Sequence, residues 1–170
     1  MKSVVFAMIL LAALIIPILN SGLVKPVLAD SVIGNPILVG SGPYKDAFDP
    51  DNGDIYVANL DSASVSVING STNKVVTNVA GVAAPRDLAY DSADHKMFVA
   101  DVQGSTIPRA GAITVINTTS NTLIDKISAG SVTDGVVYDS SNGNVYAINA
   151  GSPVTVIKAS NDKAVAVKMH

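Results

Sequence analysis

A block of sequence at residues 47–59 returns at 89–101 and again at 137–149. Each copy opens on Ala or Val and then an aromatic residue followed by Asp, as Phe48-Asp49, Tyr90-Asp91 and Tyr138-Asp139. Each then runs through a polar turn into an apolar stretch that closes on Asn59, Asp101 or Asn149. A second block repeats in step at 65–69, 113–117 and 154–158, reading Val-Ser-Val-Ile-Asn, Ile-Thr-Val-Ile-Asn and Val-Thr-Val-Ile-Lys. The first spacing is 42 residues (47 to 89) and the second is 48 (89 to 137); the difference of six is an insertion at 103–110. Self-similarity at this period means that one supersecondary unit is used three times, each copy needing its neighbours to bury its faces.

Each unit reads as four short strands. In the first they fall at 44–49, 55–59, 64–69 and 74–80, separated by turns rich in Asp, Asn, Gly and Ser. Asn52-Gly53 is a hairpin signal, because these residues accept the positive φ that tight turns require. Residues 70–73 play the same part between the third and fourth strands. Ile55 and Val57 fall on one face of a strand, with Tyr56 and Ala58 on the other. Apolar residues on both faces suit a sheet covered on both sides rather than one with a wet face. Four antiparallel strands in this length make one propeller blade.

Composition agrees. All 14 acidic residues are Asp, and Asp favours caps and turns where Glu would favour helix. The chain has no cysteine, which excludes disulfides and thiolate chemistry. A net charge of −3 leaves no basic footprint for nucleic acid.

The N-terminus reads as an export signal. Lys2 precedes an uncharged apolar run at 4–19, and Val27-Leu28-Ala29 fits a small-residue cleavage site before Asp30. The competing expectation is an uncleaved anchor, which would be the chain's one contact with a membrane. As a helix the run covers about 24 Å, short of a bilayer core of about 30 Å unless residues 22–28 extend it. Both readings place the remainder secreted, at the cell surface or in the periplasm. Without Lys2 and Lys25 its charge is nearer −5 (−3 − 2).

Residues 55–59 and 65–75 together resemble the YVTN-type β-propeller repeat of archaeal surface-layer and bacterial periplasmic proteins. That pattern is a Tyr-Val-Thr/Ala-Asn strand followed by Val-x-Val-Ile-Asp-x-x-Thr-Asn-x-Val. The likeness spans residues 43–168 and departs from the pattern at Asn69 and Asn117, at Lys158, and in having three repeats. It implies an all-β, β-propeller-type fold with three four-stranded antiparallel blades, which here follow the N-terminal signal helix read from residues 1–29. The expected division is a signal peptide at 1–29, a linker or closing strand at 30–42, and repeats at about 43–84, 85–132 and 133–170.

Three blades are fewer than the four to eight of closed propellers. Three outcomes are open: a homodimer completing a six-bladed ring, an open partial propeller, or a fragment of a longer propeller.

The candidate functional residues are few. Residues 49–54 start like a calcium loop, but Gly53 is fifth rather than sixth and Leu60 stands where the bidentate Glu belongs. A hairpin turn is the expectation, and no metal or other cofactor is assigned. Asp49, Asp91 and Asp139 are equivalent, as are Asn59, Asp101 and Asn149; each is expected to cap its own turn, the competing reading being a ring lining a channel. His95 reads as a turn residue, and His170 is the last residue. No nucleophile motif is present and no catalytic residue is assigned. Asn69 and Asn117 begin glycosylation sequons at the same place in two repeats. The insertion, with Gln103 and Arg109, is the candidate binding loop, since insertions between repeats gather on binding faces. The expected function is a non-enzymatic exported propeller acting as a scaffold or binding surface for a protein or glycan. The alternatives are an enzyme or redox-associated propeller with a site built from distant loops, and a truncated propeller.

Overall fold

The computed structural model describes residues 34–104, 109–151 and 153–165. The expected signal peptide or anchor at 1–29 lies outside them. Among the described residues no helix is long and apolar enough to cross a membrane. The described residues from Pro36 onward form one compact unit, and every described strand belongs to it.

The unit is a β-propeller-type stack of three four-stranded antiparallel sheets. The first holds β1 (Pro43–Asp49), β2 (Asp54–Asn59), β3 (Ser64–Asn69) and β4 (Lys74–Ala80). The second holds β5 (Pro85–Asp91), β6 (Lys96–Gln103), β7 (Ala110–Asn117) and β8 (Thr122–Gly130). The third holds β9 (Thr133–Asp139), β10 (Asn144–Asn149), β11 (Thr155–Lys158) and the short β12 (Lys163–Val165). A 3-10 turn at Ala159–Asn161 joins the last two. Each sheet is a meander in chain order, as hairpin-linked strands dictate.

Turn chemistry fixes the registers. Asp49 pairs with Asp54 across the turn at 50–53, which Gly53 closes at φ +76°. His95 fills that left-handed place in the second repeat (φ 51°) and Gly143 in the third (φ 67°). Asn73, Asn121 and Asp162 all adopt φ 54° at the end of the turn after the third strand. Asn and Asp bear that conformation better than most side chains.

The sheets stack in chain order, with β1 against β5 and β5 against β9. Between the first and second lie Tyr56, Ala58, Val65, Val67, Leu88, Met97, Val99 and Ile116. Between the second and third lie Phe98, Ala100, Ile113, Val115, Val136, Val145, Ala147 and Ile157. Tyr56 and Phe98 are equivalent residues, each pointing to the following sheet; Met97 and Val145 each point to the preceding one. Alternation along one strand thus feeds two interfaces, which explains why both strand faces are apolar.

The end sheets have one open face each. On the first, Tyr44, Phe48, Ile55 and Val57 face away from the second sheet, with Phe48 57% exposed. On the third, Val137 and Ile148 are 54% and 55% exposed.

The proposed closing strand does not form within residues 34–42, which hold no strand. Instead the segment straps the turn between β2 and β3. Leu60 N donates to Gly42 O, Asp61 N and Ser62 N to Ser41 O, and Gly40 N to the Ser66 hydroxyl. Pro36 has no N–H for a ladder, and a side chain at Gly40 would strike Asn59 and Ser62. The insertion also differs from a simple loop. Gln103 pairs with Ala110 and Val102 with Gly111, so its ends lengthen the β6–β7 hairpin.

Candidate functional site

Antiparallel meanders place the turns after β1, β3, β5, β7, β9 and β11 on one rim. Each first turn there is organised by its repeated Asp. Asp49 Oδ1 accepts from Asp51 N and Asn52 N, Asp91 Oδ1 from Ala93 N and Asp94 N, and Asp139 Oδ1 from Ser141 N. These are Asx turns, a carboxylate bonding backbone two residues on. Bonds from the Ser141 hydroxyl and N–H hold the Asp139 carboxyl below its ordinary range.

Asn59, Asp101 and Asn149 behave differently from the expectation that each caps its own turn. All three are buried, and each reaches across to a hydroxyl on the neighbouring strand. Asn59 Nδ2 donates to Ser66, Thr114 donates to Asp101 Oδ2 at 2.8 Å, and Asn149 Nδ2 donates to Thr155. Burial pushes the Asp101 carboxyl above its ordinary value.

The rim also carries the contacts that clamp one sheet to the next. Asn52 Nδ2 and Tyr56 OH both donate to Thr118 O, and Tyr56 OH also meets Asn121 Oδ1. Tyr90 OH donates to Asp51 Oδ2 at 2.6 Å. Lys96 Nζ donates to Ala159 O and to both carboxylate oxygens of Asp162. Burial pushes the Tyr56 phenol up to about 12; burial, then the Asp51 carboxylate, pushes that of Tyr90 up. Both therefore stay protonated donors through the ordinary pH range. Sequence reasoning missed all these partners, since each joins residues 39 or more positions apart.

Between the first two sheets this rim opens into a polar cleft of about 300 Å³ lined by Asp49, Asp51, Asn52, Asp54, His95, Thr118, Thr119 and Asn121. His95 is half-exposed, its Nδ1 3.2 Å from Tyr90 OH and 3.5 Å from Asp51 Oδ2. The carboxylates do not converge: among the described residues no group of three or more potential ligands could hold a metal ion. What the cleft offers is carboxylate and amide oxygens, hydroxyls and an imidazole, a set suited to hydrogen-bonding a hydroxyl-rich or cationic ligand.

The sequon residues lie on the same rim. Asn69 Oδ1 accepts from Ser71 and Thr72, while its Nδ2 donates to Asp54 at 3.2 Å. Asn117 Oδ1 accepts from Ser120 N and Oγ. The candidate binding loop belongs to the opposite rim. Gln103 borders a groove of about 220 Å³ with Gly111, Lys126 and Ser128, and Arg109 is exposed; 105–108 lie outside the described residues. The loop and the sequons therefore do not share a site. His170 also lies outside the described residues.

No family model matches the chain, and no curated protein matches it. Solved structures do. The chain is similar to a Kuenenia stuttgartiensis hydrazine synthase chain (TM-score 0.66, 18% identity), covering 80% of this chain and 38% of that one. It is also similar to Saccharomyces cerevisiae Sqt1 (0.60, 14%), with coverage of 72% and 33%. A third is the Myceliophteria thermophila Cps50 (Swd1) β-propeller domain (0.61, 10%), with coverage of 75% and 39%. The chain spans between a third and two-fifths of these proteins. At such identities the likeness carries the propeller fold alone.

Proposed function

We propose that this chain is an exported, non-enzymatic β-propeller module that serves in the periplasm or at the cell surface as a binding scaffold for a glycan or protein partner. The export half rests on the charged, apolar and small-residue order of residues 1–29. The binding half rests on the cleft between the first two sheets. The repeated Asp49, Asp91 and Asp139 are engaged within their own turns, while Asp51, His95 and Thr119 differ from their repeat equivalents and line that cleft. Residues that depart from the repeat's pattern and gather in one concavity give this cleft its own ligand chemistry, with Asp51 also held by Tyr90 through Oδ2.

The test is a binding screen of the purified chain against defined cell-wall oligosaccharides and a lysine-rich peptide. Saturable binding by a member of either set, weakened tenfold or more by Asp51→Ala or Thr119→Ala, supports the reading. Absence of binding across both, or substrate turnover, overturns it. A second reading, a module of a redox enzyme, is favoured only by the likeness to a hydrazine synthase chain. It predicts bound metal or a visible chromophore in the purified protein, and a featureless spectrum with a clean elemental analysis removes it.

A further inference from the structure

We propose that a second copy of this chain covers both open faces of this compact unit, the third sheet of each copy packing on the first sheet of the other to close a six-sheet ring. The way the chain joins its own sheets carries this, independently of export or ligand binding.

The first-to-second interface is clamped by a donor pair, Asn52 and Tyr56, that reaches Thr118 O and Asn121 on the third turn of the next sheet. The second sheet lacks that pair, having Asp94 and Phe98 in those places. There Lys96 takes over and meets an Asp, Asp162, at the place of Asn121. Donor and acceptor thus change together at each interface.

The third sheet restores the first sheet's donors: Asn142 and Tyr146 occupy the places of Asn52 and Tyr56. Within one copy this pair has no neighbouring sheet to reach, and Asn142 Nδ2 donates to Asp139 Oδ2 at 2.8 Å and to Tyr146 OH at 3.0 Å. The matching acceptors, Gly70 O and Asn73, lie on the open first sheet. Asn73 is exposed and shares the φ of 54° with Asn121.

The apolar faces agree. Phe48, Ile55 and Val57 stand where Tyr90, Met97 and Val99 are packed in the second sheet, and Met97 and Val99 are fully buried there. Val137 and Ile148 stand where Ala89 and Ala100 face the third sheet. The residues at the places of Tyr90 and Asp51 fit each other across the closing interface. Tyr90 uses its hydroxyl on Asp51 of the preceding sheet. Its equivalent Phe48 has no hydroxyl, and the residue at Asp51's place in the third sheet is Ser141, which has no carboxylate to satisfy. A two-fold axis makes the same contact twice, and six sheets fall within the four to eight of closed propellers. Closure buries both apolar faces without any new kind of contact.

The absence of cysteine makes the test clean. In the full-length chain, kept soluble in a mild non-ionic detergent, Ser71→Cys and Ser141→Cys, at the places of Thr119 and Asp51 that line one cleft at the first interface, are made separately and together, then treated with a short bismaleimide. The expected result is no product from either single variant alone, a linked dimer from their mixture, and a doubly linked dimer from the double variant. The unmodified chain should sediment as two copies at tens of micromolar. Ile148→Asp and the milder Tyr146→Phe should each raise the dimer dissociation constant tenfold or more, with sheet content by circular dichroism unchanged. A folded monomer, self-linking of either single variant, polymers longer than two, or a dimer indifferent to both substitutions overturns the proposal.

Discussion

Replacing Asp101 by Asn should make the protein more stable at neutral pH. Asp101 lies on β6, is 0% exposed, and among the described residues its Oδ1 has no hydrogen-bond partner. Its Oδ2 accepts from Thr114 and from Ala83 N at 3.3 Å, and Lys126 Nζ stands 4.0 Å away. The equivalent residues Asn59 and Asn149 are neutral amides that bond to the hydroxyls of Ser66 and Thr155. An Asn at 101 keeps the shape and removes a buried charge, its amide oxygen accepting from Thr114 and Ala83 N as Oδ2 does in the parent. Relief of the desolvation that burial imposes on the charged carboxylate is worth about 1–3 kcal/mol. Against it stands the loss of a long ion pair to a half-buried lysine, about 0.5–1 kcal/mol. The net is a gain of about 1 kcal/mol, or roughly 3–5 °C in Tm for a unit of this size.

The sign of the pH dependence follows from the same cause. Burial raises the Asp101 carboxyl above 3.8, so its contribution is full below that value and is lost as pH rises through the folded-state pKa. The advantage of the Asn variant should therefore be small near pH 3.5 and grow toward pH 7. Other carboxylates titrate alike in both proteins and cancel in the comparison. Thermal unfolding of both by circular dichroism across that range is the assay. A variant less stable than the parent by 1 kcal/mol or more at pH 7, or an advantage that shrinks with rising pH, refutes the reasoning.

Phe98 fills the interface of the second and third sheets at 0% exposure; Phe98→Ala should cost about 3–5 kcal/mol in urea titrations, a large share of a typical domain's stability. Gly111→Ala would drive a methyl into Ser131 O and the Thr133 hydroxyl, and should cost about 1–3 kcal/mol or block folding, read by the yield of soluble chain and its urea midpoint. Asp139→Ala removes the cap of the last first-strand turn. Because that carboxyl is held below 3.8, its contribution is present above that value and lost as pH falls through the folded pKa, so the gap in urea midpoint between parent and variant should narrow toward pH 2.

Within the described residues, what could be read from sequence was local or periodic. The four strands of the first repeat fell within a residue of their observed bounds, because Asn52-Gly53 and the polar stretch at 70–73 punctuate apolar runs of period two. The same periodicity made both faces of β2 apolar and so required neighbours on each side. What escaped was set by three-dimensional pairing. That Asn59 spends its amide on Ser66 rather than on its own turn depends on the β2–β3 register. That Lys96 belongs with Asp162, or Tyr56 with Asn121, depends on how two sheets lie against each other. The insertion looked like one loop because its small and polar residues carry no strand signal, yet backbone pairing at Gln103 and Ala110 needs no particular side chain. The cleft is non-local for the same reason: its walls come from turns in two different repeats.

Three copies of one unit stack as successive propeller blades, each joined to the next at a defined rim. The most direct test of this stacking is a set of nuclear Overhauser contacts across the two interfaces of the isotopically labelled chain. The expected contacts run from the Tyr56 ring to the Asn121 side chain, and from the Phe98 ring to the methyl groups of Val136 and Ile157. Contacts that instead pair strands from different repeats within one sheet, or that place Tyr56 against its own repeat's Asn73, would contradict it.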